Sequence, residues 1–425
     1  MNDLKKWARD LFPINRSLTG SGVRQTLEYI SRIVPELVIK SYPSGKNVFD
    51  WEIPQEWEID DAWIEHIDTG EKFAHFAENN LHVVGYSEPI DLILDKKDLL
   101  RHIYTQPDLP NAIPYVTSYY NRSWGFCMSE SIKKDLPNGR YRAYIGSNLF
   151  DGSMELGEVV IQGEMKSEII FSSYICHPSM ANNELSGPIV LMALYQKLVS
   201  KKQCLKYTYR FLFLPETIGA IAYLSENKNY LKQNTICGFV VSCVGDERAY
   251  SHVKSPYGNN LADKAISAAL IGKPETKSYS YLERGSDERQ YCAPGINLPF
   301  AGFCRSKYGD YPEYHTSEDN LELITQNGLE GSVNVLESIV EAIELGLIPN
   351  CTTYGEPQLG KRGLYPNISK KGNYDEITAR MNLLAYCDGK NTIFDICQII
   401  NLPLKYALAE AEILSKHGLL EFHHI

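Results

Sequence analysis

The chain has 425 residues, 44 % of them hydrophobic, with 42 Lys and Arg against 53 Asp and Glu and a formal net charge of −11. That length exceeds one ordinary core, so two or three domains are expected, and the acidic balance argues against a general nucleic-acid binder. Met1 to Trp7 shows no signal-peptide core, no apolar run would span a bilayer, and ten scattered cysteines form no CxxC pair, so reduced, mostly buried thiols in a cytoplasmic protein are expected.

In chain order, the first ~50 residues read as helical by apolar spacing, with a turn at Asn15–Gly20 and a helix from Ser21 to Ile33. From Trp51 to about Tyr144 short alternating runs such as Ala62-Trp63-Ile64-Glu65-His66-Ile67 are separated by turns such as Asp68-Thr69-Gly70-Glu71. Leu81–Tyr86 and Gly139–Tyr144 extend this strand-rich texture, and residues 51–149 are read as an inserted β-rich domain. From Gly157 the rhythm changes. Strands over 158–161, 168–174, 207–214 and 238–243 alternate with helices over 186–198 and near 220–224. That alternation predicts an α/β unit with a mostly parallel sheet flanked by helices, built from 1–50 and 150–350. After a linker from Tyr354 to Pro366, helical runs at 377–386, 393–400 and 402–417 and an end segment at 419–422 resemble a winged helix over 351–425.

Ligands in such sheets bind just beyond the carboxyl ends of the strands. His177, Glu216 and Asp246 each fall a few residues past one, and His315 opens His315-Thr316-Ser317-Glu318-Asp319-Asn320. A catalytic zinc takes about three His or carboxylate ligands and leaves a place for water. His177 and His315 are candidate nitrogen ligands, Glu184 and Asp246 candidate carboxylate ligands, and Glu216 the candidate general base. Glu184 stands just before a predicted helix, where the dipole favours a carboxylate. A second cluster is aromatic and basic: Tyr119 to Trp124, and Arg305, Lys307, Tyr308, Tyr311 and Tyr314. Arg122 and Arg305 are candidates for binding a substrate carboxylate or other anion.

The segments His177-Pro178, Asn182–Gly187, Leu214–Gly219, Val240–Asp246 and His315–Asn320 follow an order that resembles the co-catalytic zinc exopeptidases. That group comprises secreted aminopeptidases, glutamate carboxypeptidase and glutaminyl cyclase. The likeness covers about residues 155–345, and it extends to bacterial aminopeptidase-like proteins with an inserted domain and a C-terminal winged helix. It implies that His177 and His315 are metal ligands and Glu216 the base. Ser286-Asp287-Glu288-Arg289 matches a Ser-Asp-His segment of the group, and this places Asp287, with Tyr314, among the substrate-binding candidates. Three positions depart. Asn182 stands where the resemblance puts a metal-bridging aspartate, Thr217 where it puts a second glutamate, and Cys243 where it puts a last aspartate. One zinc is therefore expected, not two.

The leading expectation is a cytoplasmic zinc-dependent hydrolase of aminopeptidase type cleaving a small aminoacyl or peptidyl amide. The runner-up is a catalytically silent relative that binds through the cleft and uses its winged helix for partner contact. DNA recognition is disfavoured, because residues 351–425 hold as many Lys and Arg as Asp and Glu and the third helix carries Glu410 and Glu412. Protein contact, homo-oligomerisation or structural docking through that unit ranks ahead of it.

Overall fold

The computed structural model of the protein describes residues 3–201, 205–365 and 374–425. Its principal sheet has eight strands in the spatial order Val38–Pro43, Ser153–Ile161, Thr208–Leu214, Glu168–Tyr174, Thr235–Val241, Phe300–Cys304, Tyr250–Val253 and Thr276–Tyr279. The four central strands, from 208–214 to 300–304, run parallel, and the flanking pairs join them antiparallel. Side chains alternate between faces. Phe171, Phe211 and Phe239 stack along one face with ring centroids 5.3 Å apart, while Ile170, Leu212 and Val240 point to the other. Both faces are covered, which is why the central strands read as continuous apolar runs.

Helices Leu4–Leu11, Ser21–Ile33, Ser186–Val199, Leu261–Leu270 and Gln326–Leu345 cover the first face. The second is covered by the helix Ile218–Asn234 and by a separate antiparallel sheet ordered Lys72–Phe73, Glu56–His66, Arg140–Phe150, Ile90–Asp95. Gly187 explains the tight seat of the helix that follows the 181–185 turn. A Cβ there would lie 2.2 Å from Ser173 Oγ and 2.4 Å from the carbonyl of Val241.

Two expectations about local structure are corrected. Residues 38–43 are not helical. Val38-Ile39 and their neighbours form an edge strand paired to Ser153–Ile161, as β-branched residues favour. Leu81–Tyr86 is not a strand; Asn79 caps a short 3-10 turn by accepting from Leu81 N–H at 2.9 Å, and the His82 ring bonds the Cys127 carbonyl.

The C-terminal unit forms helices Tyr374–Tyr386, Ile393–Ile400 and Leu404–Lys416, with Leu420–His423 paired antiparallel to Ile348–Cys351. The expected linker reaches Pro366, which lies outside the described residues. Helices 393–400 and 404–416 pack on the body's helices 261–270 and 326–345, and Lys264 meets Asp395 at 2.8 Å. No described helix is long and apolar enough to cross a membrane.

Candidate metal and catalytic site

His177 lies three residues beyond the strand Glu168–Tyr174, in a buried loop that leads into a π-turn at Ala181–Leu185. Its Nδ1 meets Glu184 Oε2 at 2.8 Å. Glu184 is itself 3.6 Å from Arg16, a fully enclosed guanidinium whose Nε also donates to the His177 carbonyl at 2.9 Å. Burial opposes a charge on His177, but Cys176 and Glu184 outweigh it and hold the ring's pKa well above the usual range. A carboxylate on one imidazole nitrogen fixes the ring and makes the other a stronger donor to a cation. Nε2 is that other nitrogen, and Glu216 Oε2 stands 3.7 Å from it.

His315 comes from the opposite loop. The two rings lie 5.5 Å apart between centroids, tilted by 44°. Tyr314 stacks on His315 at 3.9 Å, and Tyr115 presents its edge to both rings at 5.3 and 5.1 Å. Tyr115 reaches them because its segment pairs with the His315 loop: Tyr115 N–H donates to the His315 carbonyl at 2.8 Å, and Ser317 N–H to the Ile113 carbonyl at 2.9 Å. Burial pushes the His315 pKa down to about 3, so the ring is neutral, and its Nε2 is shielded from solvent without any hydrogen-bond partner. Buried polar atoms are nearly always paired. Two imidazoles thus lie close together, one with a nitrogen lacking a partner, and a catalytic zinc there would need a further protein ligand.

The remaining candidates separate by geometry. Glu184 serves the far side of His177 and does not face the gap between the rings. Asp246 accepts from Asn182 Nδ2 at 3.0 Å, Ser306 N–H at 3.0 Å, Ser306 Oγ at 2.8 Å and Arg248 N–H at 2.8 Å, which leaves it a scaffold role. Cys176 Sγ, His177 and Glu184 also lie within 4.8 Å of one another. The Nδ1–carboxylate hydrogen bond fills that space, and burial raises the Cys176 thiol to about 11. That cluster orients His177 and leaves its Nε2 facing Glu216.

Asn182 is turned away from the gap, its amide spent on Asp246 and on Gly245 N–H. Asn183 turns to other partners. Its Oδ1 accepts from Tyr174 at 2.9 Å and lies 3.8 Å from Cys243 Sγ, and its Nδ2 has no partner. Asp319 explains why the His315 segment carries its acid. The carboxylate accepts from the N–H groups of Ala181, Asn182 and Asn183 at 3.1, 2.6 and 2.9 Å and from Tyr311 at 2.8 Å, locking the two histidine loops together. Burial raises its pKa to about 6.

Glu216 follows the strand Thr208–Leu214 and keeps a fifth of its side chain exposed. Burial raises its pKa, opposed by His177 and Arg289. Thr217 beside it sits at φ +66° and ψ −75°, an outlier for a β-branched residue. Asp287 accepts from its N–H at 2.7 Å and Arg289 donates to its hydroxyl at 2.6 Å. Asp287 is wholly buried, and burial with the Glu216 charge raises its pKa well above the carboxylate range. Positive φ recurs at Ser179, Cys243 and His315, all in loops at this end of the sheet. Such strain persists where the surroundings over-determine it, often at functional sites.

A cavity of about 420 Å³ opens beside Glu216, lined by Leu18, Trp51, Tyr119, Tyr120, Arg289 and Gln290 among others. Two expected substrate contacts lie elsewhere. Arg122 is exposed, pairs with Gln55 and lines a smaller neighbouring cavity. Arg305 is buried with its guanidinium 3.6 Å from the Tyr250 ring centroid. Sequence reasoning passed over Tyr115, Arg16 and the role of Arg289. Only Arg289 carried a signal, in the Ser286–Arg289 segment.

Residues 5–346 match a family model described as a domain of unknown function, DUF4910, and residues 347–422 match a winged helix-turn-helix. The chain belongs to the DUF4910 family. A Clostridium acetobutylicum protein, provisionally named for polysaccharide biosynthesis with an aminopeptidase-like domain, is 40 % identical over 420 residues, or 97 % of this chain and 94 % of the relative. A crystal structure from the same species, provisionally titled a peptidase, aligns with TM-score 0.89 and 38 % identity over 99 % of this chain and 96 % of that one. The Bacillus subtilis zinc aminopeptidase BSAP shares the fold at TM-score 0.53 and 13 % identity, covering 79 % of this chain and 94 % of its own. This DUF4910 member therefore has an aminopeptidase-like α/β fold and a C-terminal winged helix.

Proposed function

We propose that this chain is a zinc-dependent hydrolase of aminopeptidase type that cleaves an amide bond in a small aminoacyl or peptidyl substrate. One observation carries the reading: His177 and His315 converge at 5.5 Å with an orphaned Nε2 on His315, beside the raised carboxyl of Glu216. His177 and His315 would hold a single zinc ion, which when bound polarises a carbonyl and lowers the pKa of water. Glu184 and Arg16 hold the His177 ring in place. Glu216 accepts the proton from the attacking water at Oε2 and returns it to the leaving nitrogen. Tyr115 and Tyr314 pack against the rings and exclude bulk water from them.

The competing reading is a catalytically silent binding protein, favoured by Asn182, Thr217 and Cys243 standing where the resemblance puts carboxylate ligands. Metal analysis of chain purified without chelator decides between them. About one equivalent of zinc per chain, with hydrolysis of an aminoacyl anilide lost in Glu216→Gln, is the expected result. Less than half an equivalent of zinc, manganese or cobalt, with no uptake on titration, sinks the hydrolase.

Free, mostly buried cysteines support a reducing, cytoplasmic setting. Docking through the winged helix is favoured over DNA reading. The start of its third helix, Pro403–Tyr406, fronts Ala269–Lys273 and Asn334–Glu341 of the body, and Glu410 is held by Arg380 at 2.6 Å.

A further inference from the structure

The cavity beside Glu216 has an unusual charge pattern for an exopeptidase cleft. Apart from Glu216 its lining holds no acid, and its one cation is Arg289. A peptide with a free α-ammonium needs a carboxylate to receive it, and this lining offers only the amides of Asn121 and Gln290, hydroxyl groups and aromatic rings. Asp287 is wholly buried behind Thr217, and Glu288 is turned to Gly285 N–H, Ser286 N–H and Tyr308. Arg289, by contrast, is half-buried and under-used. Its guanidinium donates to the Thr217 hydroxyl, its Nε has no partner, and it makes no ion pair among the described residues. A half-buried guanidinium that feels Glu216 and Asp287 only at a distance, with no direct ion pair, has room to take up an anion.

We propose that Arg289 receives a carboxylate of the substrate. The substrate is then an N-acylated amino acid or a similar acylamino carboxylate, not a peptide presented by its free amine. This rests on the hydrolase reading above. Water adds across R–CO–NH–CHR′–COO⁻: the C–N bond breaks, a C–O bond forms at the acyl carbon, Glu216 carries one water proton to nitrogen, and the second passes from the new carboxylic acid to the released amine. The products are R–COO⁻ and ⁺H₃N–CHR′–COO⁻. A volume of about 420 Å³ suits one such molecule between Trp51, Tyr119 and Tyr120.

The test is calorimetric binding to the full zinc-loaded chain carrying Glu216→Gln, with N-acetyl-L-phenylalanine, its neutral amide and L-phenylalaninamide as probes. The acid is expected to bind at least ~10-fold more tightly than the neutral amide, with the free amine weakest. Adding Arg289→Gln is expected to erase the acid-to-amide ratio while leaving amide binding in place. Arg289→Lys is expected to keep part of it. A merely structural arginine would weaken acid and amide together. Equal binding of acid and amide, a ratio that survives Arg289→Gln, tightest binding of the free amine, or no binding of the acid at millimolar concentration each overturn the proposal. If Arg289→Gln does not fold, the parent ratio and Arg289→Lys decide. Absence of hydrolysis in the wild type with the ratio intact would remove the hydrolase reading and leave the anion site. Hydrolysis of uncharged anilides with no acid preference would do the reverse.

Discussion

The two ends of the principal sheet are equally buried and treat their polar groups in opposite ways. At the amino ends of the parallel strands, Arg210 forms a fork to Glu168 at 2.8 and 2.7 Å and also bonds Glu158, which Lys40 meets at 2.6 Å. Tyr223 and Tyr230 donate to the same carboxylates. At the carboxyl ends His315 Nε2, Asn183 Nδ2, Asp287 Oδ2 and Arg289 Nε are shielded and lack a hydrogen-bond partner among the described residues. Of the unsatisfied buried side chains among the described residues, only Thr235 lies at the other end. Each such group costs about 1–3 kcal/mol. A closed network holds a fold; an open one at a strand end leaves polar atoms that a ligand could meet.

The sharpest break in that comparison is at Glu216. Glu216→Gln is expected to lower kcat/KM by about 10²–10⁴-fold in steady-state assays while leaving the fold intact. In the wild type, kcat/KM should fall as pH drops through the raised Glu216 pKa, because only the ionised carboxylate accepts the proton; a flat acid limb would count against this role. At the closed end, Glu168→Gln leaves Arg210 under-compensated and should cost about 3–5 kcal/mol in urea unfolding with no direct effect on metal content. Glu184→Gln should weaken zinc affinity by about 10–100-fold in a chelator competition, since it removes the partner that orients His177. His315→Ala should abolish zinc uptake and cost about 1–3 kcal/mol in unfolding free energy, because the ring loses its packing on Tyr314 and Tyr115 but no hydrogen bond. A large destabilisation there would mean that the open end is structural after all.

Much of this was legible beforehand. Strand 168–174 and helices 21–33 and 393–400 coincide with their sequence expectations, because each is an uninterrupted apolar pattern bounded by turn or capping residues. The two histidines and Glu216 were legible because a parallel sheet sends its strand ends to one place. Edge strand 38–43 was not, since half-exposed strands carry weak patterning and follow a helical stretch here. Which neighbours Glu184 and Asp246 would meet was not legible for a related reason. Their positions near strand ends were right, but whether a carboxylate faces a gap or a neighbouring amide depends on side-chain direction.

By itself, the sequence determined the α/β alternation, the winged-helix pattern at its end and the residue types gathered beyond the strands. Those follow from periodicity and chain connectivity. Only the tertiary structure decided that Asn183 meets Tyr174 and Cys243 while Asn182 meets Asp246, that Tyr115 spans both rings from a segment some 200 residues before His315, and that Arg289, not Arg122 or Arg305, lines the cavity. Those outcomes turn on loop geometry and on contacts between distant segments, and local pattern does not encode either.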